Sequence, residues 1–129
     1  MNAEALAGID RVFAAFRGGD PRALVEVIGA DATWIVNGTV PVAQAYVGRA
    51  RIFELFRETR RLTGGSYLST LRWSLADDVH AVAVYRAQGT RLGRELDIDQ
   101  VLLIAHEGGV WRHITAIPSD PPAFEAFWA

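Results

Sequence analysis

Three histidines are the side chains best suited here to proton transfer near neutral pH, because imidazole has an unperturbed pKa of about 6.5. His113 sits in Trp111-Arg112-His113-Ile114-Thr115, where it can act as base or acid, and partial burial favours its neutral form. The alternative is a hydrogen-bonded structural histidine. His80 and His106 flank turns at strand ends, the ordinary place of a solvated polar residue. The three lack short-range ligand spacing, so no metal site is read from them. Asp97 and Asp99 form an i, i+2 pair, and two carboxylates on one strand face can share a proton or hold a metal. Tyr85 alternates with Ala83 and Ala87; its phenol can donate to a carbonyl or leaving oxygen, or simply cap a packed core. Trp34 and Val36 share one face of an earlier strand, a flat apolar wall for a hydrophobic ligand or plain core. Asn37-Gly38 is a turn signal before it is a ligand contact, and Tyr46 lies in a loop able to lid a pocket.

Composition removes much other chemistry. With no cysteine, thiol nucleophiles, disulfides and thiolate metal sites are excluded, and a reducing cytosol is compatible. All 13 basic residues are arginine, so Schiff-base and lysine-base mechanisms are excluded too, since arginine does not give up its proton. The arginine bias suggests a high-GC bacterial genome. A net charge of -2 and a pI of 5.9, with scattered basic residues, argue against nucleic acid or an anionic membrane as partner. No window has the length of a membrane span. Glu4 and Asp10 stand where a signal peptide needs a basic patch and an apolar run, which places the protein in the cytoplasm. There is no phosphate loop, nucleophile elbow or dinucleotide fingerprint, and no cofactor is implied.

These residues must be positioned by elements that the pattern supplies in order. Leu6, Ile9, Val12, Phe13 and Phe16 are spaced as one helical stripe, which Gly18-Gly19 ends. Asp20-Pro21 opens a short helix with Leu24, Val25 and Ile28 inward and Gly29 as its stop. Ala32 to Asn37 reads as a first strand running into a loop through Pro41. Gly48 opens a helix over Arg49 to Leu62, with Arg49, Arg57, Arg60 and Arg61 on its solvated face. From Ser66 the period changes to two: Ser66–Leu75, His80–Gln88, Glu95–Ala105 and Val110–Ile117 are strands joined by short turns, an antiparallel meander. Asp120 and Pro121 begin a last helix with Phe124, Phe127 and Trp128 on its apolar face. Helices followed by strands, without repeats or linkers, give an α+β class in one domain over residues 1–129. A curved sheet wrapped around the N-terminal helices, with a C-terminal helix behind them, leaves a conical cavity read by alternate strand residues.

Three stretches, AAFRGGDPRALVEVIGADATW, GTVPVAQAYVGRARIFELF and DPPAFEAFWA, together with the element order, resemble the SnoaL-like, ketosteroid-isomerase-related proteins of the nuclear transport factor 2-like superfamily. The resemblance spans essentially the whole chain and is specific for fold but weak for chemistry. Steroid isomerases use a tyrosine, a carboxylate base and a protonated aspartic acid. Those positions fall here on Val12, on Val36 and on either Gln100 or Leu102, so the steroid-type shift lacks its base, while the Gln100 amide can still donate to a carbonyl. A last-strand aspartate of the related epoxide hydrolases falls on His113, near the acid-base slot of the polyketide cyclases. The same alignment sends His113, Thr115 and Ile117 to the concave side. It turns Asp97 and Asp99 outward, unless a bulge inverts the faces; Arg72 and Arg86, charged residues in mid-strand, suggest a wet or dimer-facing convex surface.

The resemblance therefore implies a cofactor-independent cyclase or isomerase for a hydrophobic, polyketide- or terpenoid-like small molecule. In it His113 relays a proton, Tyr85 and Gln100 polarise an oxygen, and Trp34, Val36, Asn37, Tyr46, Leu102 and Thr115 hold the ligand. A homodimer through the convex sheet is implied as well. The alternatives are a homodimeric protein that binds an apolar ligand without changing it, and a dimer with a filled, vestigial cone.

Overall fold

A computed structural model describes residues 2–129. Its elements are α1 (Ala3–Phe16), α2 (Arg22–Val27), β1 (Ile28–Val36), β2 (Ala45–Val47), α3 (Arg49–Leu62), β3 (Leu68–Ala76), β4 (His80–Arg91), β5 (Arg94–Glu107), β6 (Val110–Pro118) and α4 (Pro121–Trp128). One six-stranded sheet has the order β2-β1-β6-β5-β4-β3. The pairing is antiparallel throughout except between β1 and β6, which run parallel. The class is α+β, and β3 to β6 form the meander that the period of two requires.

Capping explains where α1 and α4 start. The Asn2 side chain accepts from the Ala5 N–H at 3.0 Å at the head of α1, and Asp120 accepts from the Ala123 N–H at 3.1 Å at the head of α4, each satisfying an otherwise orphaned donor. α1 buries Ala5, Ile9, Val12 and Phe13 against the sheet, and α3 buries Ile52 and Leu55. Each large side chain so buried contributes about 1.5–3 kcal/mol before chain entropy is charged against it.

Two boundaries differ from the sequence reading. α2 ends at Val27 and β1 starts at once, so Ile28 reaches the core from a strand, Val25 lies exposed, and Gly29 is a strand residue. A Cβ on Gly29 would come within 2.9 Å of the Trp111 carbonyl oxygen, so its role is close backbone approach rather than helix termination. The loop after Pro41 also contains β2, which pairs with the edge of β1 through Trp34 and Tyr46. Three residues are too few to show a period.

A bulge sets the faces of the last strand. In the β5–β6 ladder Ala105 opposes His113, whereas His106 opposes Trp111, so Arg112 is one residue more than the partner strand supplies. Arg112 and His113 consequently both face out. Trp111 before them and Ile114 and Ala116 after them are buried. The inward set of β6 is therefore Ile114 and Ala116, not His113, Thr115 and Ile117.

Candidate functional site: an apolar cavity with a polar corner

The concave face of the sheet and the helices enclose a cavity of about 180 Å³. β1 contributes Trp34 and Val36, β5 contributes Gln100 and Leu102, β4 contributes Tyr85, and β6 contributes Ala116. Phe56 of α3 meets the Trp34 ring edge-on, with centroids 5.2 Å apart at 83°. Phe124 and Trp128 of α4 close another wall, and Trp128 leans on Tyr67 at 5.9 Å. Aromatic rings held this way are rigid and offer a ligand little but apolar surface.

Apart from Thr59 and Arg60 of α3, the polar lining residues gather in one corner. Tyr85 and Gln100 are directly opposed across the β4–β5 ladder, so both side chains rise from the same face, and the Gln100 Nε2 donates to the Tyr85 hydroxyl at 2.7 Å. Gln100 is only 5% exposed, and its Oε1 has no hydrogen-bond partner among the described residues. Tyr67 and Ser69 complete the corner. Burial, reinforced by the neighbouring Tyr67, pushes the Tyr85 phenol well above its ordinary range. Burial raises Tyr67 as well, against the opposing effect of hydrogen bonds with Ser69 and Tyr85. Both phenols therefore keep their protons at neutral pH and are available as hydrogen-bond donors rather than as bases.

The expected site residues divide cleanly. Tyr85, Gln100, Leu102, Trp34 and Val36 line the cavity together, and both candidates for the oxyanion position, Gln100 and Leu102, point inward because they are two apart on one strand. His113 does not join them. The bulge turns it onto the exposed convex face beside Ala105 and Thr33, and Thr115 faces the same way. Asn37 is exposed and contributes its backbone N–H to the Ala116 carbonyl at 3.1 Å. Tyr46 is buried outside the cavity, its hydroxyl donating to the Val42 carbonyl at 2.8 Å and its ring lying under the Arg51 guanidinium.

The remaining ionisable groups are structural in placement. Asp97 and Asp99 face outward: Asp97 bonds Arg86 at 2.8 Å, and Asp99 bonds Arg86 at 3.2 Å and Arg72 at 3.3 Å. His106 is buried rather than solvated. Its Nδ1 accepts from the Gly109 N–H at 3.1 Å and its Nε2 meets the Asp77 carbonyl at 2.8 Å, which assigns the neutral tautomer with the proton on Nε2 and ties two turns together. Sequence reasoning missed Tyr67, Ser69 and Arg60 as cavity residues. The alternation Tyr67-Ser69-Leu71 carried the signal for the first two; Arg60 reads as solvent-facing because it lies outside the apolar stripe of α3.

A family model described as the SnoaL-like domain matches residues 9–114. The chain belongs to the SnoaL-like domain family. The uncharacterized protein Rv0034 of Mycobacterium tuberculosis is 30% identical over 122 residues, 94% of this chain and 93% of that protein. Among solved structures, Bal32a from a soil-derived mobile gene cassette is 26% identical with a TM-score of 0.93, covering 99% of this chain and 98% of that one. A candidate SnoaL-like polyketide cyclase from Jannaschia sp. CCS1 shares the fold at 14% identity and a TM-score of 0.79, with 99% and 94% of the two chains covered. In this member of the family the concave wall holds phenols and an amide. Among the described residues no helix is long and apolar enough to cross a membrane.

Proposed function

We propose that this SnoaL-like chain is a cofactor-independent enzyme of cyclase or isomerase type that acts on a small apolar molecule carrying at least one oxygen. The observation that carries the reading is the Tyr85–Gln100 pair, bonded at 2.7 Å at the polar corner of a mainly apolar cavity. The aromatic walls hold the substrate near its reacting geometry, which alone can be worth several kcal/mol. The Tyr85 and Tyr67 phenols, kept protonated by burial, donate to a carbonyl or leaving oxygen as charge develops there, and Gln100 fixes the Tyr85 hydroxyl. Removal of His113 from the cavity takes away the proton relay expected of it. The chemistry that fits is one whose substrate ionises readily by itself, such as a 1,3-dicarbonyl. Size narrows the class further: a cavity of about 150 Å³ accommodates benzene, so about 180 Å³ suits one or two rings.

A second reading is a protein that binds such a molecule without changing it. It is favoured by the described lining residues, which include no carboxylate and no imidazole. The two readings separate on 2-acetylcyclohexanone, whose keto–enol interconversion is followed by ultraviolet absorbance. The enzyme reading expects acceleration over buffer that falls by about tenfold or more in Tyr85→Phe while affinity is retained. Binding without acceleration supports the second reading.

A homodimer through the convex sheet belongs to the same proposal. The register aligns Leu75, Val82, Leu103 and Thr115 in one row and Trp73, Val84, Val101 and Ile117 in the next, and Trp73, Leu75 and Leu103 are exposed. A contiguous apolar patch of this kind is what a partner surface covers.

A further inference from the structure

We infer that Gln100 Oε1 is an acceptor reserved for a ligand hydroxyl, so that the cavity selects phenols, enols or alcohols over molecules of the same shape that can only accept a hydrogen bond. The inference rests on the small-molecule reading above and names the substrate class within it. Gln100 is 5% exposed, lines the cavity, and has already committed its Nε2 to the Tyr85 hydroxyl at 2.7 Å. Its Oε1 is left without a partner among the described residues.

An amide oxygen buried without a donor is a standing cost to the fold. Leu102, its inward neighbour on the same strand, offers no donor. Tyr85 is the polar group nearest the amide by register, and its oxygen is already taken by Nε2. What removes the cost is an O–H arriving inside the cavity. A ligand carbonyl or ether oxygen at the same place puts two acceptors face to face and strengthens nothing. Selectivity of this form is steep, because a site built to bond a substrate hydroxyl leaves its own polar atom unpaired when the hydroxyl is missing.

The test is calorimetric titration with 2-naphthol, which donates and accepts, and with 2-methoxynaphthalene, which only accepts, on the unaltered protein and on Gln100→Leu. The expected result is a preference for 2-naphthol of about tenfold or more that disappears in Gln100→Leu. Gln100→Glu, which keeps an acceptor in place, retains the preference and covers the case in which the leucine variant fails to fold. Equal affinities in the unaltered protein, or a preference that survives Gln100→Leu, overturn the inference and leave small-molecule binding standing. A preference for the methoxy compound overturns it as well. If neither compound binds, the inference and the small-molecule reading fall together.

Discussion

Burial decides what the tyrosines of the cavity can do. Tyr85 has its phenol pushed well above the ordinary value by desolvation, so below about pH 10 both folded and unfolded chains hold that proton. Above that pH the unfolded chain releases it and the folded chain does not, so stability is full below the unfolded value and falls as pH rises past it. Denaturant melts between pH 7 and 11 should show this alkaline loss, and Tyr85→Phe should reduce it while costing about 1 kcal/mol at pH 7 through the lost Gln100 bond. The opposite holds for His113, which touches nothing in the cavity: His113→Ala should leave ligand affinity unchanged and the melting temperature within about 2 °C of the parent. A large loss of affinity or turnover in that variant would contradict the outward placement. Tyr85, Trp34 and Val36 were legible from alternation because their strands run regularly where they sit. His113 faces outward although the family alignment sends it to the concave side, because Arg112 is one residue more than the partner strand supplies and reverses the alternation after Trp111. The doublet Arg112-His113, two polar residues running into Ile-Thr-Ala, was the available sign.

At the scale of elements, the cavity depends on a tie between segments far apart in sequence. Glu125 of α4 accepts from the Thr39 N–H at 2.7 Å, the Thr39 hydroxyl at 2.9 Å and the Val40 N–H at 3.1 Å. It thereby pins the loop that follows β1 to the helix that supplies Phe124 and Trp128 to the cavity wall. Arg91 reinforces the helix from the sheet side, donating to the Ala129 carbonyl at 2.8 Å. Glu125→Gln keeps the size but removes the charge and one acceptor, and should lower stability by about 1 kcal/mol. Hydrogen exchange should speed up selectively over residues 38–44 and in α4, and a uniform change across the sheet would argue against this tie. Helix starts were readable from Asp120-Pro121 and Gly48 because caps and breakers act locally. The α2–β1 junction was not, since the pairing of Ile28 with Trp111 that draws Gly29 into a strand is a contact between distant parts of the chain.

For the whole molecule, the sheet has two apolar faces with different fates. The inner face is covered by helices and encloses the cavity. The outer face carries two rows of side chains centred on Leu103, which is 45% exposed, flanked by the Arg72, Arg86, Asp97 and Asp99 ion pairs. Equilibrium sedimentation should give a dimer for the parent chain, and Leu103→Asp should shift it to monomer without unfolding it, because a charge at the centre of an apolar interface is costly while the same charge in water is not. A parent chain that sediments as monomer would contradict the dimer. The class and the meander could be read from the change of period at Ser66. The polar corner could not be assembled that way, because it joins Tyr67, Tyr85 and Gln100 only after the register of three strands is fixed.

Ligand binding at Tyr85 and Gln100 inside the cavity is what both proposals require. An NMR titration with 2-naphthol, recorded on backbone and side-chain amides, tests it most directly. The expected result is shifts at the Gln100 side-chain amide and at the Trp34 and Trp128 indoles, with His113 unmoved. Shifts confined to the convex face around His113, or to the groove beside Tyr46 and Arg51, would contradict it.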